Sequence, residues 1–190
     1  IYNTVNITGN TNIRGYQGIR ITSNSTDYLG GKFIIKNNNI NTARYPIDFN
    51  SSNNNNDTIL FIGNNINKVD NYTWPFDSPG SIYCDDQDYV VVKENIFNND
   101  NYISASDVDS IVGNQILNVE NSTAIQINQG ATFIANNYIH TKGQLESKAI
   151  YLRSHSSLSG TVIAHNSIEN SGTAGASSYG LYLAGDVSNI

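Results

Sequence analysis

Apolar residues recur along this chain at alternate positions in short runs, with a period of 2 and not the 3.6 of a helix. One phrase, apolar-x-x-Asn-x-Ile, returns as Ile35-Asn38-Ile40, Phe61-Asn64-Ile66, Ile111-Asn114-Ile116, Ile134-Asn137-Ile139 and Ile163-Asn166-Ile168. Val91-Glu94-Ile96 fits it with Glu in the Asn slot, and Ile7-Asn10-Ile13 fits with one extra residue. A second phrase, x-Ile-x-apolar, alternates with the first as Ile19/Ile21, Ile47/Phe49, Ile82/Cys84, Ile103/Ala105, Ile125/Ile127, Ile150/Leu152 and Leu181/Leu183. The pair recurs once per 20 to 35 residues, about seven times.

A repeat of that length built from short strands predicts a solenoid. Helical repeats need another period, and a leucine-rich repeat needs recurrent leucines that this chain lacks. A propeller blade needs four strands in roughly 40 to 45 residues. A parallel β-helix remains: all-β, of about seven coils, with each strand paired to its equivalent one coil on. Asn in the slot then has a physical role. It tolerates the left-handed backbone of a sharp turn. Stacked at the roughly 4.8 Å strand spacing, its amides form an internal Asn ladder beside a column of Ile. Glu94 is expected to be a neutral or hydrogen-bonded variant within that ladder.

Strand alternation divides core from surface. At the first strand of each coil the outward pairs are Arg20/Thr22, Asp48/Asn50, Tyr83/Asp85, Ser104/Ser106, Gln126/Asn128, Tyr151/Arg153 and Tyr182/Ala184. This is a polar face with tyrosines and both signs of charge, the mixture that binds sugar hydroxyls and the C–H side of a pyranose. At the second strand the outward residues are Ile34, Leu60, Val90, Ser110, Phe133 and Val162 on one side, and Lys36, Ile62, Val92, Val112, Ala135 and Ala164 on the other. A strand apolar on both faces is covered on both, by another chain or by a further segment of the same protein. Leu60, Ile62, Val90, Val92, Phe133 and Ala135 are therefore expected at contacts between subunits.

Composition narrows the partners. The chain has 190 residues and a formal net charge of −6, with mean hydropathy −0.35 and pI near 4.8. That balance argues against nucleic acid or an anionic membrane surface, and no apolar run is long enough to insert in a membrane. A single cysteine, Cys84, excludes an intrachain disulfide. The sequence is expected to form one β-helix domain over residues 1–190, as a piece of a longer chain.

The double phrase, across nearly the whole sequence, resembles the right-handed parallel β-helix repeat of the pectate-lyase-like superfamily. With the Asn-, Ser-, Gly- and Tyr-rich composition, the acidic pI and the apolar second face, it looks most like a bacteriophage tailspike. The resemblance implies a homotrimer, on a virion tail or otherwise extracellular, that binds and cleaves bacterial surface polysaccharide. Two alternatives stay open: a secreted polysaccharide lyase or hydrolase of the same fold, and a non-catalytic fibre or adhesin module. The polygalacturonase-like motifs are incomplete here. "CDDQD" supplies an Asp-Asp, "RSHSS" only a Ser-His-Ser, and the other two are absent. No metal or cofactor is implied.

Glycoside hydrolysis needs two carboxyl groups, about 5 to 5.5 Å apart for retention and about 6.5 to 9.5 Å for inversion. Asp48 and Asp85 lie on adjacent coils, displaced by two residues, which puts their Cα atoms roughly 8 Å apart. They are the candidate catalytic acid and base. The insertion "NKVDNYTWPFDSPG" carries Tyr72, Trp74 and Phe76 on a proline-stiffened loop beside them. Tyr72, Trp74, Tyr83, Gln126, Tyr151 and Arg153 are the candidate sugar-binding residues, with His155 as a further cation toward an acidic sugar.

Overall fold

A computed structural model describes residues 3–15, 18–22, 31–42, 46–68, 82–98, 103–105, 108–120, 122–128, 132–143, 146–153, 160–171 and 177–184. Of residues 3, 21–22, 49–57, 83–88 and 104–105 it describes the backbone only. The described elements are all β, and every pairing between them is parallel, so the strands stack as a parallel β-helix.

Three ribbons run along the stack. The A ribbon contains β3 (Ile19–Thr22), the start of β6 (Ile47–Ile62), the start of β8 (Ile82–Lys93), β10 (Ile103–Ala105), β13 (Thr123–Ile127), β16 (Ser147–Arg153) and β19 (Ser178–Ala184). The B ribbon contains β1 (Asn3–Thr8), β4 (Gly31–Lys36), the ends of β6 and β8, β11 (Ser110–Val112), β14 (Phe133–Ala135) and β17 (Val162–Ala164). β6 and β8 continue from A into B without a break and join the two ribbons into one sheet. The C ribbon, a separate sheet of seven strands, contains β2 (Ile13–Gly15), β5 (Asn39–Thr42), β7 (Asn65–Lys68), β9 (Ile96–Asn98), β12 (Gln115–Glu120), β15 (Tyr138–Lys142) and β18 (Ser167–Asn170).

The columns expected from the two phrases are present in register, apart from one slot. In the A ribbon Ile19, Ile47, Ile82, Ile103, Ile125, Ile150 and Leu181 stack in succession. In the B ribbon Ile7, Ile35, Phe61, Val92, Ile111, Ile134 and Ile163 do so. In the C ribbon the series is Ile13, Ile40, Ile66, Phe97, Ile116, Ile139 and Ile168. Away from the two ends these side chains are buried in one continuous core, each contributing about 1.5 to 3 kcal/mol through apolar area removed from water. Phe61 and Phe97 meet in it at a ring distance of 6.4 Å.

One register differs from the sequence expectation by a residue. Phe61 pairs with Val92, not Val91, so Asn95 and not Glu94 fills the ladder slot. Asn95 is fully buried. Glu94 is exposed and forms an ion pair with Lys93 at 3.1 Å. The outer B columns change with it. Val91 stands between Leu60 and Ser110, and Lys93 between Ile62 and Val112. Val90 and Val92 point into the core, and Ala135 is also buried; none of these three offers surface to another subunit. Ile34, Leu60, Val91, Ile62 and Val112 are half-buried, while Phe133 and Val162 are 45 % and 48 % exposed.

The left-handed residue is also displaced by one from its expected place. It is the residue before the slot: Gly9, Asn37, Gly63, Glu94, Gly113, Asn136 and His165 all have φ between 54° and 68°. Its N–H donates to the last B-strand carbonyl of the next coil, as from Gly63 to Lys93 and from Asn136 to Ala164. The slot Asn then turns its amide inward. Its backbone N–H and its Nδ2 both donate to the Oδ1 of the next slot: Asn10 to Asn38, Asn38 to Asn64, Asn64 to Asn95, Asn95 to Asn114, Asn114 to Asn137 and Asn137 to Asn166. The remaining Nδ2 hydrogen goes back to a B-strand carbonyl of the preceding coil, as from Asn114 to Val92 and from Asn137 to Ile111. Buried amides are thereby satisfied without water.

Candidate functional site

The outer face of the A ribbon carries the residues expected to meet a sugar. Its central column is Arg20, Asp48, Tyr83, Ser104, Gln126, Tyr151 and Tyr182, each in register with the next. Near the start of the ribbon, Arg20 Nε lies 3.2 Å from Asp48 Oδ2. Asp48 is only 7 % exposed, so its carboxylate is held against the sheet by the guanidinium. Asp85 pairs with Asn50, two positions beyond the Asp48–Tyr83 pair, as the repeat spacing implies. The Asp85 and Tyr83 side chains lie outside the described residues, as do Tyr72, Trp74, Phe76 and His155 entirely. Gln126 is half-buried, its Nε2 donating to Asn128 Oδ1 at 2.9 Å.

A denser cluster lies at the other end of the ribbon. β16 does not alternate strictly: Ala149 and Ile150 are both buried. That break in alternation leaves Lys148 and Tyr151, three residues apart, on the same outer side. The next coil places Tyr182 beside Tyr151 and Tyr179 beside Lys148. Tyr151 and Tyr182 meet edge to face at 5.3 Å, and Tyr179 and Tyr182 meet tilted at 4.9 Å. Lys148 Nζ sits 5.1 Å from the Tyr151 ring centre and 4.9 Å from that of Tyr182. Its side chain is 15 % exposed, and its ammonium is anchored 2.7 Å from Glu146 Oε1. Arg153 is exposed at the next outward position of β16. The result is an aromatic surface with an ammonium, a carboxylate and an exposed guanidinium at its rim.

Of the sequence candidates the structure therefore brings Tyr151 and Arg153 into one patch, and leaves Asp48 and Gln126 further along the same column. Lys148, Glu146, Tyr179 and Tyr182 were not singled out from sequence. Tyr182 was legible, because the second phrase puts it directly after Tyr151 in the column. Lys148 was not, because strict alternation from Ile150 points it into the core.

The C ribbon has a different outer surface. Near the start it is a lattice of amides, in which Asn41, Asn67 and Asn98 donate to Asn12, Asn39, Asn41, Asn65 and Asn67 at 3.0 to 3.2 Å. Further along, Tyr138 donates to Glu169 Oε2 at 2.7 Å, and His140 Nε2 lies 2.9 Å from Ser171 Oγ. The hydrogen bond to Glu169, partial loss of solvent and the carboxylate's charge together raise the Tyr138 hydroxyl above its ordinary 10.0.

The chain matches no family model, no curated protein and no solved structure.

Proposed function

We propose that this β-helix binds bacterial surface polysaccharide along the outer face of its A ribbon, as part of a tailspike-like trimer of the pectate-lyase-like superfamily. The observation that carries the reading is the Lys148–Tyr151–Tyr182–Tyr179 cluster. Three ring systems locked against one another present apolar faces at low conformational cost, and the Glu146, Lys148 and Arg153 groups supply the hydrogen bonds that fix a sugar's orientation. The remaining column extends this face from Gln126 toward Asp48 over several coils, which suits a polymer better than a small ligand. Phe133 and Val162, with Leu60 and Ile62, are the apolar B-ribbon residues left for the trimer contact.

Cleavage on this face falls to Asp48 and Asp85 as an inverting pair. One observation favours the non-catalytic alternative: Asp48 is nearly buried and already ion-paired with Arg20, which suits a structural carboxylate. A panel of capsular polysaccharides decides both points. Binding measured by calorimetry, and lost in Tyr182→Ala, supports the site; unchanged binding in that variant removes it. Release of reducing ends that disappears in both Asp48→Asn and Asp85→Asn supports the pair; release at the parent rate in both variants removes it.

A further inference from the structure

The three corners of the coil are closed in different ways. From the B to the C ribbon the turn is constant: two residues separate the strands in every coil after the first, and the Asn ladder satisfies them. From A to B, side-chain oxygens accept backbone N–H groups of the preceding coil, Asp109 Oδ2 from Val90 at 2.6 Å and Thr161 Oγ1 from Thr132 at 3.4 Å. From C to A the connection varies from two residues after β12 to thirteen after β7. A side-chain ladder needs the same residue at the same place in each coil, and connections of unequal length do not supply one.

The C-to-A corner nevertheless buries polar atoms. Thr42 and Thr141 each follow the inward Ile of their C strand by two residues, so both turn inward near its end. Ser147 is the first residue of β16, and Ser178, in register with it, is the first of β19. Thr42, Thr141 and Ser147 are 1 %, 0 % and 0 % exposed. The hydroxyl oxygens of all four residues are buried, and none has a hydrogen-bond partner among the described residues; Thr132, at the A-to-B corner, is the fifth such case. The backbone beside them is engaged. Ser147 N–H donates to the Ser177 carbonyl and Lys148 N–H to that of Ser122, each at 3.1 Å, and the Thr141 carbonyl accepts from Ser171 N–H at 2.9 Å. The hydroxyls are what the sheet leaves over.

Buried polar groups left unpaired cost stability, and native interiors hold few of them. Four at one kind of corner point to a partner that the chain itself does not supply. That partner both donates and accepts, as a hydroxyl does, and it adapts to connections of different length. Water meets both conditions, and a buried water makes about three hydrogen bonds.

We propose that the corner between β15 and β16 is a hydration site, in which one ordered water bridges the hydroxyls of Thr141, Ser147 and Ser178. Thr141 bounds the site from the C strand, Ser147 from the A strand and Ser178 from the next coil. The water has the role at this corner that the ladder amide has at the B-to-C turn. Thr42 marks the corresponding place near the start of the stack. The site lies inside the coil and is independent of the sugar reading.

Two measurements on the 190-residue chain test it. In water-to-protein NOE spectra, a long-lived water should contact the Thr141 methyl and the Ser147 β-protons. In denaturant melts, Thr141→Val and Ser147→Ala should each lower the midpoint, because each leaves the water and the other hydroxyls short of a partner. The double variant should lower it by less than the sum of the two, because both act through the same water. A dry corner behaves oppositely: removing an orphaned hydroxyl raises the midpoint. A raised midpoint in either single variant, losses that add in the double variant, or no long-lived water at Thr141 and Ser147 would each overturn the proposal.

Discussion

Asn137 Oδ1 accepts two hydrogen bonds from Asn114, one from its backbone N–H at 2.9 Å and one from its Nδ2 at 3.0 Å. Both residues are 1 % exposed. A single side-chain oxygen thus closes two buried donors of the preceding coil, and the unit repeats along the stack.

Replacing Asn137 by Leu should therefore cost about 3 kcal/mol or more in a denaturant melt. It leaves the buried Asn114 N–H and one Asn114 Nδ2 hydrogen without partners, at about 1 to 3 kcal/mol each. Asn41→Leu, in the outer amide lattice where water replaces the lost partner, should change stability by no more than about 0.5 kcal/mol. Equal effects at the two positions would refute the distinction between inner and outer ladders.

The left-handed column makes an opposite pair of predictions. Glu94 has φ 57° and Gly113, one coil on, has φ 68°. Glu94→Gly should stabilise the chain by about 1 kcal/mol, since its exposed pair with Lys93 contributes little. Gly113→Ala should destabilise it by about 1 to 2 kcal/mol from backbone strain alone, because the added Cβ meets nothing nearer than Glu94 Cγ at 3.7 Å. Thermal melts of the two variants should move in opposite directions.

Tyr138 supplies a pH dependence with a fixed sign. Its raised pKa, from the hydrogen bond to Glu169 first, means that the neutral phenol is favoured in the folded chain. The contribution is fully present below the ordinary tyrosine value and is lost as pH rises through the raised one. The Tyr138 ring carbon, followed by NMR, should titrate above an ordinary tyrosine, and Glu169→Ala should bring its midpoint down. A midpoint that stays put in the variant would place the cause elsewhere.

At the proposed sugar site, Tyr182→Ala should weaken polysaccharide binding by about tenfold, since the ring packs on both Tyr151 and Tyr179 and flanks Lys148. Tyr182→Phe keeps the stacking and should lose much less. Calorimetry that ranks the two variants equally would mean that the hydroxyl and not the ring face makes the contact.

The recurring phrases were enough to specify the fold because a parallel stack repeats its environment. A residue facing the core in one coil implies the same for its equivalent in the next, so Ile35, Ile111, Ile134 and their neighbours could be aligned by eye. The same logic located the outer A column and its two-residue offset between Asp48 and Asp85. It did not locate the fourth ladder slot. "YVVVKENIF" is apolar at both strand parities, and Ile96 and Phe97 compete for the inward place. Only pairing with Phe61, Asn64 and Ile66 chooses Val92, Asn95 and Phe97. Nor did it separate the residue that turns the chain from the residue that bonds the coils. Gly, Asn, Glu and His all occupy the turning position, which selects for φ and not for a side chain. Tertiary structure alone assembled the Lys148 cluster, because two consecutive buried residues, Ala149 and Ile150, reverse the expected faces of Ser147, Lys148 and Ala149. Local alternation carries the core, and a departure from alternation, which depends on how neighbouring coils pack, carries the Lys148 cluster.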